Sequence, residues 1–273
     1  MKINSELPIK MLQYNMELNE IDFVLFHLYV SNPTYRDYYK SLRNEYPDRI
    51  MILDNSAYEF YIKGEKLDLA QFKQVIEELV PTYYILPDTL MDQQATLQAV
   101  NEFISNYTPD CNSEPIAVAQ GMTEDELIEC LHIYSDNGVN NICIPFHNKF
   151  FKECPIVQDE ITEEFLKYYN IDQLTDDMKY AIGRVRFMKK YEKLLKSFDY
   201  VHLLGSHCPF EKKFYTDFDS MDTGYPVKLG YEKTILGKEK MKPQSIIDDF
   251  INDELSTWQM VLIYANVNIF KNY

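Results

Sequence analysis

Cysteine is sparse and unpatterned in this sequence of 273 residues. The five cysteines show no CxxC spacing, and their odd number argues against a closed disulfide framework. A reducing compartment fits this composition best. His202, His207 and Cys208 lie close together in the sequence, but no second Cys/His pair accompanies them, so they form a weak candidate for a zinc site. We therefore expect no metal and no cofactor.

Long apolar runs are also missing. No stretch approaches the roughly 18 apolar residues of a membrane span, and the first residues, MKINSELPIK, lack the apolar core of a signal peptide. We expect a cytoplasmic protein with no membrane partner. The P-loop, GxGxxG and HExxH patterns are absent, which argues against the nucleotide-binding and zinc-protease classes that they mark. No Pro/Gly/Ser-rich linker divides the chain, and we predict one domain over residues 1–273.

Positive charge is in short supply, with 27 Lys and Arg against 43 Asp and Glu and a net charge of −16. Such a charge repels polyanions at long range and counts against a broad electrostatic nucleic-acid surface, although a local basic patch stays compatible with it. The balance reverses between residues 184 and 213. A basic cluster at helical spacing is either a solvated helix face or a phosphate-binding surface. The candidate phosphate contacts are Arg184, Arg186, Lys189 and Lys190.

Short apolar runs alternate with amphipathic segments along the chain, and the apolar runs indicate strands that are buried on both faces. This alternation predicts an α/β fold, a (β/α)8 TIM barrel. We further predict an acidic insertion at about residues 150–180 and closing helices after residue 230. The predicted strands are Met11–Tyr14, Asp22–Leu28, Ile50–Leu53, Tyr83–Leu86, Ile116–Ala119, Ile142–Pro145, Val201–Leu204 and Ser220–Thr223. The predicted helices include Leu69–Leu79, Gln93–Ile104 and Glu124–Tyr134, the last with Thr123 as N-cap and Glu126 three residues on.

Polar residues or glycine follow several of these predicted strands. A single Asp after a strand is most often a helix N-cap. In a β/α barrel, however, the carboxyl ends of all strands meet at one mouth, where catalytic residues lie. Several such residues together therefore predict an active site. They are Asp54, Asp88, Gln120, Gly121, His147 and Gly205.

Four segments resemble the tRNA-guanine transglycosylases. Asp54–Glu59 is similar to their Asp-Ser-Gly-Gly-Phe/Tyr-Gln element, and Ile85–Asp88 stands where they have a second substrate-reading Asp. Val118–Gly121 resembles their Val-Gln-Gly strand end. Val201–Gly205 followed by Asp219–Asp222 resembles their Tyr-Leu-Met-Gly and Asp-x-Phe-Asp pair. The order and approximate spacing agree from about residue 20 to residue 230.

The chain also departs from that family at informative places. Ser56 and Ala57 replace the glycine pair, and Ile144–Phe146 replaces a Gly-Gly-Leu strand end that contacts the base. The CxCxxC…His zinc subdomain, which helps the family to grip tRNA, is missing. Shortened phage and bacterial relatives insert 7-deazaguanines into DNA, and this compact chain looks more like them. The resemblance thus implies nucleic acid as partner, DNA more than tRNA, and a 7-deazaguanine such as preQ0 as co-substrate.

The resemblance implies guanine exchange through a covalent glycosyl intermediate, with Asp222 as the nucleophile at C1′. Asp54 then carries the proton that the departing purine takes up and the incoming base gives off. Asp88 accepts hydrogen bonds from guanine N1–H and its exocyclic amine. The other implied substrate contacts are Tyr58, Gln120, Gly121, Phe146 and Gly205.

Two other function classes remain open at this point. The first is a nucleosidase or base-releasing N-glycosylase that uses the same aspartates but transfers the sugar to water. The second is a non-catalytic barrel that binds nucleic acid as a subunit of an active partner.

Overall fold

Eight parallel strands with helices between them form a nearly closed barrel. The computed structural model describes residues 1–169, 175–238, 245 and 247–273. The strands are hydrogen-bonded in the order β1-β8-β7-β6-β5-β4-β3-β2. The predicted (β/α)8 TIM barrel is therefore confirmed. The strands are β1 (Lys2–Ser5), β2 (Asp22–Leu25), β3 (Met51–Asp54), β4 (Tyr83–Ile85), β5 (Glu114–Val118), β6 (Asn141–Pro145), β7 (Tyr200–Leu204) and β8 (Ser220–Thr223).

The barrel closes between β1 and β2, the two end strands of the hydrogen-bonded order. Here the Phe23 backbone N–H donates to Asn4 Oδ1 at 3.3 Å. The Glu20 N–H donates to the Ile3 carbonyl at 3.0 Å. A side-chain bond and a loop bond thus join the two strands where the regular ladder is absent.

The first strand was placed wrongly by the sequence pattern. Met11–Tyr14 belongs to a 3-10 helix over Ile9–Tyr14, and the strand at this place in the barrel is β1. Met11 and Leu12 are buried while Tyr14 is exposed, and a short apolar pair of this kind suits a helical turn as well as a strand. In β1 only Ile3 is a buried hydrophobic residue, so a signal for a strand was weak.

The helices cover the outside of the barrel, and their bounds confirm the amphipathic segments read from the sequence. α5 has the predicted bounds, and α6 and α7 each extend two residues beyond them. Thr123 and Glu126 form the expected capping box. The helices of the described residues are α1 (Asn15–Leu18), α2 (Phe26–Ser31), α3 (Pro33–Glu45), α4 (Ala57–Lys63), α5 (Leu69–Leu79), α6 (Gln93–Asn106), α7 (Glu124–Asp136), α8 (Lys149–Glu153), α9 (Glu160–Tyr169), α10 (Asp176–Lys190), α11 (Glu192–Leu195), α12 (Tyr225–Tyr231), α13 (Ile247–Phe250) and α14 (Thr257–Lys271), and a second 3-10 helix spans Pro209–Phe214.

The acidic segment at 150–180 contains most of α8, all of α9 and the start of α10. Residues 170–174 of that segment lie outside the described residues, as do 239–244 and 246 of the segment after residue 230. α14 packs against α12, with Ile263 and Val267 buried. None of the helices that the structure describes has the length and apolar character that a membrane crossing requires.

Candidate active site

A cavity of about 200 Å³ opens at the carboxyl ends of the strands. This is the mouth where the barrel fold places catalytic groups. The sequence-predicted residues Asp54, Asp88, Gln120, Gly205 and Asp222 line it together. Carboxylates outnumber cations in the lining. The lining carboxylates are Glu6, Asp54, Glu59, Asp88, Asp222 and Asp248, and the lining lysines are Lys63 and Lys228.

Asp222 stands at the end of β8 and is held by two N–H donors. Its Oδ1 accepts from the Gly205 backbone N–H at 2.9 Å and from His202 Nε2 at 3.0 Å. Gly205 has φ of 67°, in the left-handed region that favours glycine, and this turn after β7 aims its N–H at the carboxylate. The Asp222 side chain is therefore oriented, and the residue is buried at 4% exposure.

His202 is a site residue that the sequence analysis missed, because it was considered only as a metal ligand. Its Nδ1 lies 2.7 Å from Ser220 Oγ, and Tyr200 Oη donates to the same Ser220 oxygen at 2.7 Å. The Ser220 hydroxyl is then free to donate to Nδ1, which leaves Nε2–H as the donor to Asp222. Phe23 stacks on the imidazole at 5.2 Å between ring centroids. This chain of contacts fixes the tautomer and the plane of the ring that holds Asp222.

Asp54, at the end of β3, lies in an environment that favours its protonated form. Burial raises its pKa well above the usual range, and the nearby charge of Glu59 raises it further. The Ser56 N–H donates to Asp54 Oδ2 at 2.7 Å. Ser56 has φ of 58°, in the left-handed region that favours glycine. Its hydroxyl meets His27 Nδ1 at 2.9 Å, which helps to hold the unusual backbone.

Asp88 and Gln120 form a connected polar network with Asn55. Asn55 Nδ2 donates to one Asp88 oxygen at 2.8 Å, and Gln120 Nε2 donates to the other at 2.6 Å. Burial raises the Asp88 pKa, while these two hydrogen bonds oppose the rise. Gln120 Oε1 accepts the Met91 N–H at 3.0 Å. Both amides are thus positioned by Asp88, whose oxygens each keep a lone pair for a further donor.

Glu6 and Glu59 are two further carboxyls of the cavity that the sequence analysis did not assign. Burial raises the pKa of Glu6 to about 8, and the neighbouring Asp222 charge and a hydrogen bond with Asp222 contribute. Burial likewise raises the pKa of Glu59 to about 7. Near neutral pH, Glu6 therefore retains its proton and donates it in a hydrogen bond to Asp222.

The raised pKa of Glu6 predicts a pH-dependent stability. A carboxyl with a higher pKa in the folded chain binds its proton more tightly there, so stability falls as pH rises from the unfolded to the folded pKa. For Glu6 this window runs from the ordinary value of 4.5 to about 8. We expect the unfolding free energy of Glu6→Gln to fall less steeply across this window than that of the wild type. Urea denaturation at a series of pH values measures both slopes. Equal slopes would show that Glu6 does not contribute to the pH dependence of the unfolding free energy.

The other implied substrate contacts differ in their positions. Tyr58 lies in the first turn of α4, 46% exposed at the rim of the cavity, where its ring is accessible for stacking. Phe146 is a buried wall residue, with the Arg184 guanidinium 4.8 Å from its ring centroid. Gly121 is not among the cavity-lining residues. A Cβ at Gly121 would lie 2.7 Å from the Glu126 Cβ, so glycine is needed here for packing against α7.

Arg184 is not available to a phosphate, which corrects the sequence-based assignment. Its side chain is fully buried, and Nη2 and Nε pair with the Glu211 carboxylate at 2.7 and 3.2 Å. Nη2 also donates to the Gly205 carbonyl at 2.8 Å, and Nη1 to the Leu204 carbonyl at 3.2 Å. The guanidinium therefore fixes the segment that follows β7 instead of forming an external surface.

Arg186 is also engaged in contacts within the protein, which corrects its assignment as a phosphate contact. Its guanidinium donates twice to Asp159 Oδ2, at 2.8 and 3.0 Å, and also to the Pro155 and Val157 carbonyls. Lys189 and Lys190 remain exposed. Lys190 Nζ is 2.9 Å from Glu124, and Lys189 Nζ lies 4.8 Å from the Phe214 ring centroid. Neither lysine lines the cavity.

One group of side chains has the chemistry of a metal site among the residues that the structure describes. His147, Asp177 and His207 place one ligand atom each within 4.8 Å of one another. His202 does not join them, because its two ring nitrogens face Ser220 and Asp222 inside the barrel. The combination of His202, His207 and Cys208 considered in the sequence is thus not the one that the fold assembles.

No protein-family model matches this chain, and no curated protein matches it.

Proposed function

We propose that this protein is a guanine transglycosylase that acts on nucleic acid. The observation that carries the proposal is the position of Asp222: a carboxylate fixed by the Gly205 N–H and by His202 at the barrel mouth. It shares one cavity with Asp88 and with Asp54, whose pKa is raised by burial. A nucleophile, a proton carrier and a base-reading carboxylate are the three groups that base exchange requires.

In the first half-reaction, an Asp222 oxygen attacks C1′ of the target nucleotide and the C1′–N9 bond breaks. The sugar is then esterified to Asp222, and the departing guanine takes up the Asp54 proton. In the second half-reaction, the incoming base gives its N9 proton to the Asp54 carboxylate and attacks C1′, which releases Asp222. One carboxyl therefore serves as acid and then as base. Burial raises its pKa well above the usual range, which favours the protonated form that the first step requires.

Recognition of guanine falls to Asp88. Asn55 and Gln120 orient both of its oxygens, and the carboxylate then accepts the guanine N1–H and exocyclic amine as a matched pair. A 7-deazaguanine such as preQ0 carries the same pair of donors, so the same residues bind it as the incoming base. DNA is the favoured nucleic acid. The tRNA-guanine transglycosylases, which this chain resembles, bind tRNA with the help of a zinc subdomain, and the CxCxxC…His pattern of that subdomain is missing from this sequence. The target nucleotide must be unstacked to reach the cavity, and the free-energy cost of this unstacking is roughly a few kcal/mol.

The test is an exchange assay with labelled guanine, in parallel with duplex DNA and with tRNA. Label in the DNA supports the proposal, and label in tRNA alone would replace DNA by tRNA. Release of free base without incorporation would instead identify a base-releasing glycosylase. If neither exchange nor release occurs with either nucleic acid, the proposal is wrong.

We expect Asp88→Asn to separate base recognition from nucleic-acid binding. The amide offers a donor where guanine also presents donors, so exchange should fall by about 100-fold or more. Nucleic-acid affinity should change little, since backbone contacts supply most of it. Steady-state exchange rates and a direct binding titration measure the two effects separately. A matching loss in both would mean that Asp88 supports the site structurally and does not read the base.

A further inference from the structure

His147 and His207 are brought together by two adjacent strands. His147 follows β6 by two residues and His207 follows β7 by three, and these strands pair in parallel with Pro145 opposite Leu204. Their rings meet at 4.9 Å between centroids. Asp177 approaches from the first turn of α10, and its Oδ1 is 3.4 Å from His207 Nδ1.

The contacts around these side chains hold part of the group in a defined position. The His207 ring stacks on Tyr225 at 5.4 Å. The segment that carries His207 is fixed by Arg184, which donates to the Gly205 carbonyl and pairs with Glu211. The side chains of His207 and Asp177 are mostly shielded, whereas His147 is exposed. Two of the three groups are therefore held in place, and the third faces solvent.

We propose that His147, Asp177 and His207 bind one divalent transition-metal ion, with Zn²⁺ as the best match. Two imidazoles and one carboxylate form a ligand set that Zn²⁺ uses in sites with an open coordination position. Mg²⁺ and Ca²⁺ prefer sets made of oxygen alone, so they fit poorly. Ligand atoms about 2.0–2.1 Å from a tetrahedral zinc lie roughly 3.3 Å apart. The ligand atoms here lie within 4.8 Å of one another, so binding requires a small adjustment, which we expect from the exposed His147 ring.

The ion's open position would lie beside the cavity that contains Asp222, because His147 and His207 also line that cavity. We infer that a phosphate oxygen of the bound nucleic acid occupies this position. This assignment rests on the proposed function. The protein carries a net charge of −16, and Arg184 and Arg186 are engaged in internal pairs. A bound dication at the rim supplies the positive charge that a phosphate requires next to an acidic cavity.

Metal binding is tested on the full chain after chelation, by calorimetric titration with ZnCl₂ and by metal analysis after dialysis. The wild type should bind one tight Zn²⁺ per chain in the presence of excess Mg²⁺. Asp177→Asn and His207→Ala should each lower the affinity by about 100-fold or more, with circular dichroism checking the fold. His132→Ala, which removes an exposed histidine of α7 outside the cavity, is the matched control and should bind as the wild type does. Equal Zn²⁺ affinity in the wild type, Asp177→Asn and His207→Ala would overturn the site.

The phosphate assignment has its own readout, the affinity for a short DNA duplex with and without Zn²⁺. Zinc should tighten binding by the wild type and by His132→Ala, and should have no effect on Asp177→Asn. If Zn²⁺ binds with the expected variant pattern but DNA affinity is unchanged, the phosphate assignment is wrong and the metal site stands. If Zn²⁺ tightens DNA binding but labelled guanine is never exchanged, the proposed function fails independently of the metal site.

Discussion

Asp222→Asn is expected to abolish base exchange while the barrel folds as before. The amide oxygen can still accept from the Gly205 N–H and from His202, so the local geometry is retained. An amide, however, is a poor nucleophile and cannot form the glycosyl ester. The loss of a residue that forms the covalent bond should reduce the turnover number by at least about 1,000-fold. Exchange of labelled guanine and mass spectrometry of a trapped protein–nucleic acid adduct measure the two consequences.

Asp219→Asn is the matched control for this variant. Asp219 belongs to the same short motif but lies before β8, where its exposed carboxylate accepts the Val201 N–H at 2.8 Å. The substitution should therefore leave exchange nearly intact. Near-normal turnover in Asp222→Asn would remove Asp222 from the nucleophile role. Equal losses in the two variants would point to a disturbance of β8 instead of lost chemistry.

The mouth of the barrel could be predicted because its residues follow strong local signals. Asp54, Asp88 and Gln120 each stand at or just after a short apolar run, and in a parallel barrel the ends of all such runs meet. Asp222 was predicted from the resemblance alone, because Ser220–Thr223 contains a single apolar residue. Glu6 does not follow an apolar run of this kind. It follows β1, in which Asn4 and Ser5 are buried although they are polar. Their burial depends on β2 and β8, which are distant in sequence, so the first strand and the carboxyl beyond it were missed together.

The role of His202 was equally hidden, because it depends on pairing between strands. Its partner Ser220 lies directly opposite on β8, and Asp222 is two residues further along the same strand. Residues two apart on a strand point to the same face, here the barrel interior. The alternation is visible in the sequence, but only the β7–β8 register shows that the imidazole reaches the carboxylate. A histidine followed by His207 and Cys208 is more readily interpreted as part of a metal site.

The basic cluster illustrates the opposite error, in which a local pattern was informative about composition but not about exposure. Arg184 lies in α10 between the buried residues Gly183 and Val185. Its burial is possible because Glu211, 27 residues later, supplies a carboxylate in the same interior. No spacing rule connects two such residues. The cluster therefore divides into two arginines that are held in internal pairs and two exposed lysines, and the fully buried Arg184 should contribute most to stability.

Arg184→Met should destabilise the fold more than any other single change considered for this chain. The substitution keeps an apolar stem but leaves the fully buried Glu211 carboxylate without its cation. Ser206 Oγ and Tyr215 Oη still donate to this carboxylate, at 2.5 and 3.0 Å, but neither carries a positive charge. Removal of one partner from a buried ion pair costs about 3–5 kcal/mol. Urea denaturation followed by circular dichroism measures the loss.

Two comparisons show whether that loss comes from the uncompensated charge. Lys190→Met breaks the pair with Glu124, in which the lysine side chain is 58% exposed, and should lower the stability far less, because solvent screens an exposed pair. Adding Glu211→Gln to Arg184→Met removes the orphaned charge and should recover part of the stability, because a neutral amide is far less costly to bury. If Arg184→Met is no more harmful than Lys190→Met, the buried pair does not hold the segment after β7. Gly205 and His207 would then owe their positions to packing alone, and the orientation of Asp222 would need another explanation.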